Sequence, residues 1–293
     1  MALTDHDLGR RAFLARIGLL GAAGLIPPSA WSTAPGVDPL GNLIGLLGPV
    51  LRELARDTWN GFTVFVVPGP DAYSRAQGTP RAEPGAIEAK TPDFIMASLD
   101  DFLPVPRSLV QPVLAAVATG LSDSGIALPA GLLPLPAEIA TLDRALRRLV
   151  ATDSAVPLSV AVAMLLNLLA TQVDPLAVQG PFLSPFARLS YAEKAHAMSL
   201  LEGPDSDLVA LLDTEFPQPL RSSVSGLLKF VGGALLEFAA FGAYSEFAVY
   251  DARSRSLTAR PVGWQLTGFN PPRGSDGYDD LIGYYQGRRE VRD

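Results

Sequence analysis

The chain has 293 residues, 48% hydrophobic and 18% charged, which excludes a disordered polymer and supplies enough apolar side chain for one large body or two small ones. Lys plus Arg number 23 against 30 Asp plus Glu, a net charge of −7 without a basic block, so no nucleic-acid partner is expected. With no cysteine and only His6 and His196, disulfides, thiolate zinc sites, iron–sulfur clusters and cysteine-linked haem or lipid are excluded, and imidazole chemistry has one candidate outside the N-terminal segment.

Residues 1–34 differ in character from the rest. Gly9-Arg10-Arg11-Ala12-Phe13-Leu14 precedes an apolar Gly/Ala/Leu stretch from Ile17 to Ile26, followed by Pro27-Pro28-Ser29-Ala30. The apolar part falls well short of the ~20 residues a spanning helix needs. Paired arginines ahead of Phe-Leu, a short apolar segment and a small residue at a cleavage point predict a twin-arginine export signal, with Arg10, Arg11, Phe13 and Leu14 read by the translocon. Cleavage after Ala30 or after Ala34 fits equally, and a leader left in place would hold the chain peripherally at the membrane. That route carries folded proteins, so the expected location is the periplasm or the outer face of the cytoplasmic membrane.

Beyond the leader, Leu43, Leu46, Leu47, Val50, Leu51 and Leu54 have the spacing of an amphipathic helix over 40–57, with a kink expected at Pro49. Phe62 to Val67 is a β-branched run that pattern alone leaves open between a strand and a buried helix. Pro68-Gly69-Pro70 stops it, and the sequence from Pro68 to Pro92 is expected to be a long irregular loop of the kind that often carries function. A helix follows over 91–103, and Ser108 with Gln111 opens another to about Gly120. Pro136 to Val150 reads as a surface helix with Ile139, Leu142, Leu146 and Leu149 on one face.

Val156 to Val173 is apolar on all sides apart from Asn167 and Gln172, which suits either a short membrane span or a central core helix. Its marginal length and the acidic flanks Asp153 and Asp174 favour the core helix. Ser190 and Glu193 form a capping box for a helix through Leu201, and Asp205-Ser206-Asp207 caps the next. The longest predicted helix runs over 220–248 with Leu227, Leu228, Val231, Leu235, Phe238 and Phe241 expected inside. The fold class is therefore mainly α: an irregular helical bundle over 35–250 with long Pro/Gly-rich loops. Residues 251–293, poor in Leu and Ile but holding Trp264, Phe269, Tyr278, Tyr284 and Tyr285, form an extended aromatic arm. Such residues anchor interfaces, and an arm folded back on its own body accounts for them equally well.

Catalytic patterns are scarce. The chain has no phosphate-binding glycine loop, no dinucleotide fingerprint after a strand and no G-x-S-x-G elbow. His196, on the helix opened by Ser190, is expected as a surface or half-buried helix residue. The carboxylate pairs Asp100-Asp101, Asp205 with Asp207, and Asp279-Asp280 stand where caps or solvated turns belong. Glu237, within an apolar helix, is the one ionisable group expected to be desolvated; it would be the acid of a carboxylate-dependent enzyme, or a partner for Lys229. No catalytic, cofactor-binding or metal-ligating residue is otherwise assigned to this chain.

Several segments together resemble the third (small) subunit of the gluconate 2-dehydrogenase family and related exported small subunits of unknown function. They are Arg10-Arg11-Ala12-Phe13-Leu14; Phe65-Val66-Val67-Pro68-Gly69 with Gly78 and Pro84-Gly85-Ala86; Phe94 to Phe102; Phe186-Ala187-Arg188-Leu189-Ser190; and Val262-Gly263-Trp264 through Gly268-Phe269. Residues 120–175 have no counterpart. The resemblance implies a non-catalytic accessory subunit that accompanies a larger FAD-dependent dehydrogenase of the glucose–methanol–choline class and supports its export or stability, with FAD in the partner. The contact residues expected on this basis are Phe65, Pro68, Gly69, Trp264, Phe269, Tyr278, Tyr284 and Tyr285. An exported protein enclosing an apolar ligand between the 156–173 and 220–248 helices is the competing expectation.

Overall fold

The computed structural model describes residues 39–102, 157–178, 180–203 and 224–269. The expected export signal with Arg10, Arg11, Phe13 and Leu14, the helices expected after Ser108 and over 136–150, the expected Asp205–Asp207 cap, the Asp279-Asp280 pair and Tyr278, Tyr284 and Tyr285 lie outside them. The described part is mainly helical, and its extended structure is one two-residue hairpin.

Helix α1 spans Pro39–Val66 without interruption and carries Pro49 inside it. The ambiguous run from Phe62 is thus the end of a 28-residue helix. Its β-branched content is overridden by tertiary packing, with Phe62, Thr63 and Val64 all inaccessible within the helix. Trp59, fully buried, meets Phe62 edge to face at 5.7 Å and donates from its indole N–H to the Ser159 carbonyl at 3.1 Å.

The segment between Pro68 and Pro92, expected as a long irregular loop, holds one short helix, and residues 78–90 are turns and loop. Helix α2, Ala72–Gln77, is capped by Asp71, whose carboxylate accepts from the Ser74 N–H at 2.9 Å, and ended by Gly78 at φ 90°. A Gly suits that left-handed position because it has no Cβ to clash. Helix α3, Thr91–Ala97, then continues as one wider π-type turn over Ser98–Phe102, with Ile95 and Leu99 in the core.

Helix α4, Leu158–Val173, stands at the centre, with every residue from Ser159 to Thr171 buried. Asp100 caps it: its two carboxylate oxygens accept from the Ser159 N–H and hydroxyl, both at 2.8 Å. The amide in the middle of this apolar helix is held at both ends, since the Asn167 side chain donates to the Thr58 hydroxyl at 2.9 Å and accepts from the Phe186 N–H at 3.1 Å. Packed by α1 and by helices α5 (Pro185–Arg188) and α6 (Tyr191–Glu202), α4 is a core helix. Among the described residues no helix is long and apolar enough to cross a membrane. The capping box of α6 forms as expected, with the Ser190 hydroxyl accepting from the Glu193 N–H and the Glu193 carboxylate from the Ser190 N–H.

Helix α7, Val224–Tyr244, lies across α6, α3 and α1. Leu228 and Leu235 enter the core as expected, whereas Phe241 and Glu237 are exposed. After α7 come strands β1 (Tyr250–Asp251) and β2 (Ser256–Leu257), paired antiparallel, and helix α8, Val262–Thr267. This first half of the expected arm is folded back on the body, with Val262 and Leu266 packed against Val67, Ala86, Ala89 and Ala243.

Candidate partner interface

Two features expected to contact a partner, the Pro-Gly segment and the aromatic arm, are brought together. The small cluster of Val67, Ala86, Ala89, Ala243 and Val262 joins them. Gly263 makes the joint possible: a Cβ there would lie 2.4 Å from the Tyr244 carbonyl oxygen, so only glycine lets α8 approach the end of α7 this closely. The same logic fixes the Pro-Gly segment, where a Cβ on Gly69 would sit 2.8 Å from the Gly85 nitrogen and one on Gly85 would sit 2.6 Å from the Gly69 nitrogen.

On the outside of this joint the aromatic side chains form a surface. The Trp264 and Phe269 rings meet edge to face at 5.2 Å, and Trp264 donates its indole N–H to Glu246 at 3.1 Å. Arg260 closes the end of α8 by donating to the Phe269 carbonyl at 2.9 Å. Phe247 packs on Phe94 at 5.3 Å, and Phe94 in turn on Phe241 at 5.7 Å. Phe241, Tyr244, Phe247, Tyr250 and Phe269 all remain exposed. Of the other expected contact residues, Phe65 is half-buried against Tyr191, Pro68 is half-buried, and Gly69 is buried.

Behind the Pro-Gly segment lies a polar network that the sequence does not single out. Lys194 of α6 is fully buried, donating to the Gly61 carbonyl at 2.9 Å and to the Gln77 side-chain oxygen at 2.8 Å. Gln77 donates onward to the Val64 carbonyl at 2.9 Å. Asp57 accepts from the Tyr73 hydroxyl at 2.7 Å and from the Ser184 N–H at 2.8 Å. Burial lowers the Lys194 amine to about 7, against the partial opposition of Asp71 and Asp57. A neutral amine has two hydrogens, and both acceptors are in place for them. Burial together with its hydrogen bond to Asp57 pushes the Tyr73 hydroxyl up to about 12. Arg188 is also lowered by burial, while its guanidinium ties down the carbonyls of Phe182 and Ala177.

This network is a clamp. It joins α1, α2, α5 and α6 by directional bonds that survive only with every member present, because a buried polar group without a partner is costly. The signal for it is in the sequence: Lys194, Ala197, Met198 and Leu201 share the i, i+3, i+4, i+7 spacing of the buried face of α6. A lysine on that face is a buried lysine.

His196 is exposed, as expected, and Asp100 acts as a cap. The exposure of Glu237 removes the desolvated acid that a carboxylate enzyme would need. Among the described residues no group of three or more His, Asp or Glu is placed to hold a metal ion. Comparison with protein-family models, with curated proteins and with solved structures finds no match for this chain.

Proposed function

We propose that this chain is an exported, non-catalytic accessory subunit that binds a larger FAD-dependent dehydrogenase of the glucose–methanol–choline class and supports its export or stability. The observation that carries the proposal is the aromatic surface of Phe247, Tyr250 and Phe269, all exposed, with the half-buried Trp264 ring against Phe269, set on the joint between α7, α8 and the Pro-Gly segment. Rings held in place before binding lose little conformational freedom on contact, which is what an interface anchor requires. The twin-arginine pattern at Arg10 and Arg11 adds a route for folded cargo, and the resemblance to gluconate dehydrogenase small subunits supplies the class of partner. FAD belongs to the partner in this proposal, and the complex resides in the periplasm or at the outer face of the cytoplasmic membrane.

The experiment is a mild affinity isolation of the tagged full-length chain from the cells that make it. A yellow eluate with a second, larger flavoprotein is expected, and Trp264→Ala with Phe269→Ala should lose both colour and second band while keeping the helical circular dichroism. A colourless single chain from both the soluble and the membrane fraction overturns the proposal.

A further inference from the structure

Helix α7 presents Gly226, Phe230, Gly233, Ala234, Glu237 and Phe241 at three- and four-residue intervals, hence along one face. Phe230 is 72% exposed and Phe241 64% exposed. A single exposed ring is ordinary, but two on one face about 16 Å apart along the axis, separated by a low floor, leave apolar surface unburied. The floor is open: a Cβ built on Gly226 or on Gly233 would meet nothing within 4 Å.

This face has a symmetry in its sequence. Gly226 and Phe241 lie equally far from the Gly233–Ala234 junction, and Lys229 and Glu237, both exposed, lie four residues either side of Gly233. Turned end for end on itself, the helix sets ring over glycine and ammonium beside carboxylate. Turned parallel, it would set Phe230 on Phe230 and Lys229 on Lys229. The pattern is therefore complementary to itself in one orientation, as a two-fold interface demands.

We infer that α7 is a self-association face on which a second copy of this chain docks antiparallel, Phe241 of each copy over Gly226 of the other, with Gly233 and Ala234 at the crossing and Lys229 of each opposite Glu237 of the other. Small residues at the crossing let the two helices approach closely, Phe241 fills the gap above Gly226, and the Phe230 ring lies opposite the aliphatic stem of Glu237 of the other copy. The inference stands apart from the dehydrogenase proposal, which uses Phe247, Tyr250, Trp264 and Phe269.

The test is sedimentation of the purified full-length chain over a range of concentrations. The wild type is expected to be a dimer. Lys229→Glu and Glu237→Lys, each placing like charges at both contacts, should weaken it about tenfold or more, and combining them should restore it. Both side chains are exposed, so the fold is not at risk. Because the chain has no cysteine, orientation can be read independently. Ala234→Cys should give a disulfide-linked dimer on mild oxidation. Phe241→Cys alone should not, yet mixed with Gly226→Cys it should give a cross-linked pair. A wild type that stays monomeric to about 100 µM, a double charge reversal that fails to recover the dimer lost in the single ones, or a Phe241→Cys chain that links to itself would each overturn the inference.

Discussion

Helices α4 and α7 have much the same apolar composition and opposite fates. Leu158–Val173 is buried from Ser159 to Thr171, with the Asn167 amide spent on Thr58 and Phe186. Val224–Tyr244 buries Leu228, Leu235 and Ala239 but leaves Phe230, Phe241 and Tyr244 outside. The difference is position: α4 has α1, α5 and α6 around it, whereas α7 lies over one side of the bundle. Mean apolar character thus sets how much surface wants burial, and the neighbours decide how much of it is buried within the described part of this chain. What remains uncovered on α7 is the face on which the self-association inference rests.

The largest effect should come from the centre of that comparison. Leu169→Ala removes a fully buried side chain of α4 and is expected to cost about 2–5 kcal/mol, read as a lower urea midpoint with an unchanged slope. A loss below about 1 kcal/mol would mean that α4 is no more central than α7.

A pH series tests the clamp next to it. Lys194 is lowered to about 7 in the fold from an ordinary 10.5. Between those values the unfolded chain holds a proton that the folded one has released, so stability should rise with pH across that window. Tyr73 has the opposite sign: with its hydroxyl raised to about 12, the folded state holds the extra proton above its ordinary value of 10, and stability should fall there. Urea midpoints taken from pH 6 to 11 should pass through a maximum, and Lys194→Met should abolish the rising limb. A rising limb that survives in that variant would assign it to another group.

Asn167→Ala sharpens the contrast within α4 itself. It leaves the Phe186 N–H without its acceptor and should cost about 1–3 kcal/mol. Smallest of all, Phe230→Ser on the open face of α7 should change the stability of the monomer by no more than about 0.5 kcal/mol, measured at a dilution where association is absent. A cost like that of Leu169→Ala would show that Phe230 is buried within a single chain.

Much of this fold is legible residue by residue where the signal is local. The Ser190–Glu193 capping box needs only four residues, and it forms as written. The core assignment of 156–173 follows from length and acidic flanks. The Phe62–Val67 run is different: its residues satisfy a strand as readily as a helix, and the decision rests on contacts with α4 and α5, about 100 residues further along the chain. The Pro68–Pro92 segment looks structureless because its order depends on close glycine pairs and on a lysine from α6. Periodicity cannot register either. Within the candidate interface, Trp264 and Phe269 stand out by residue type, while the joint that holds them depends on Gly263 and Tyr244, residues with no pattern of their own.

The sequence by itself determined the helical class and the buried place of 156–173, because composition and spacing are properties of the chain before it folds. The tertiary structure alone decided that Lys194 is enclosed, that Glu237 and Phe241 face outward, and that the Pro-Gly segment and α8 form one surface. Each of these depends on which distant backbone comes near. Burial is a property of neighbours, and neighbours are known only after the chain has closed on itself.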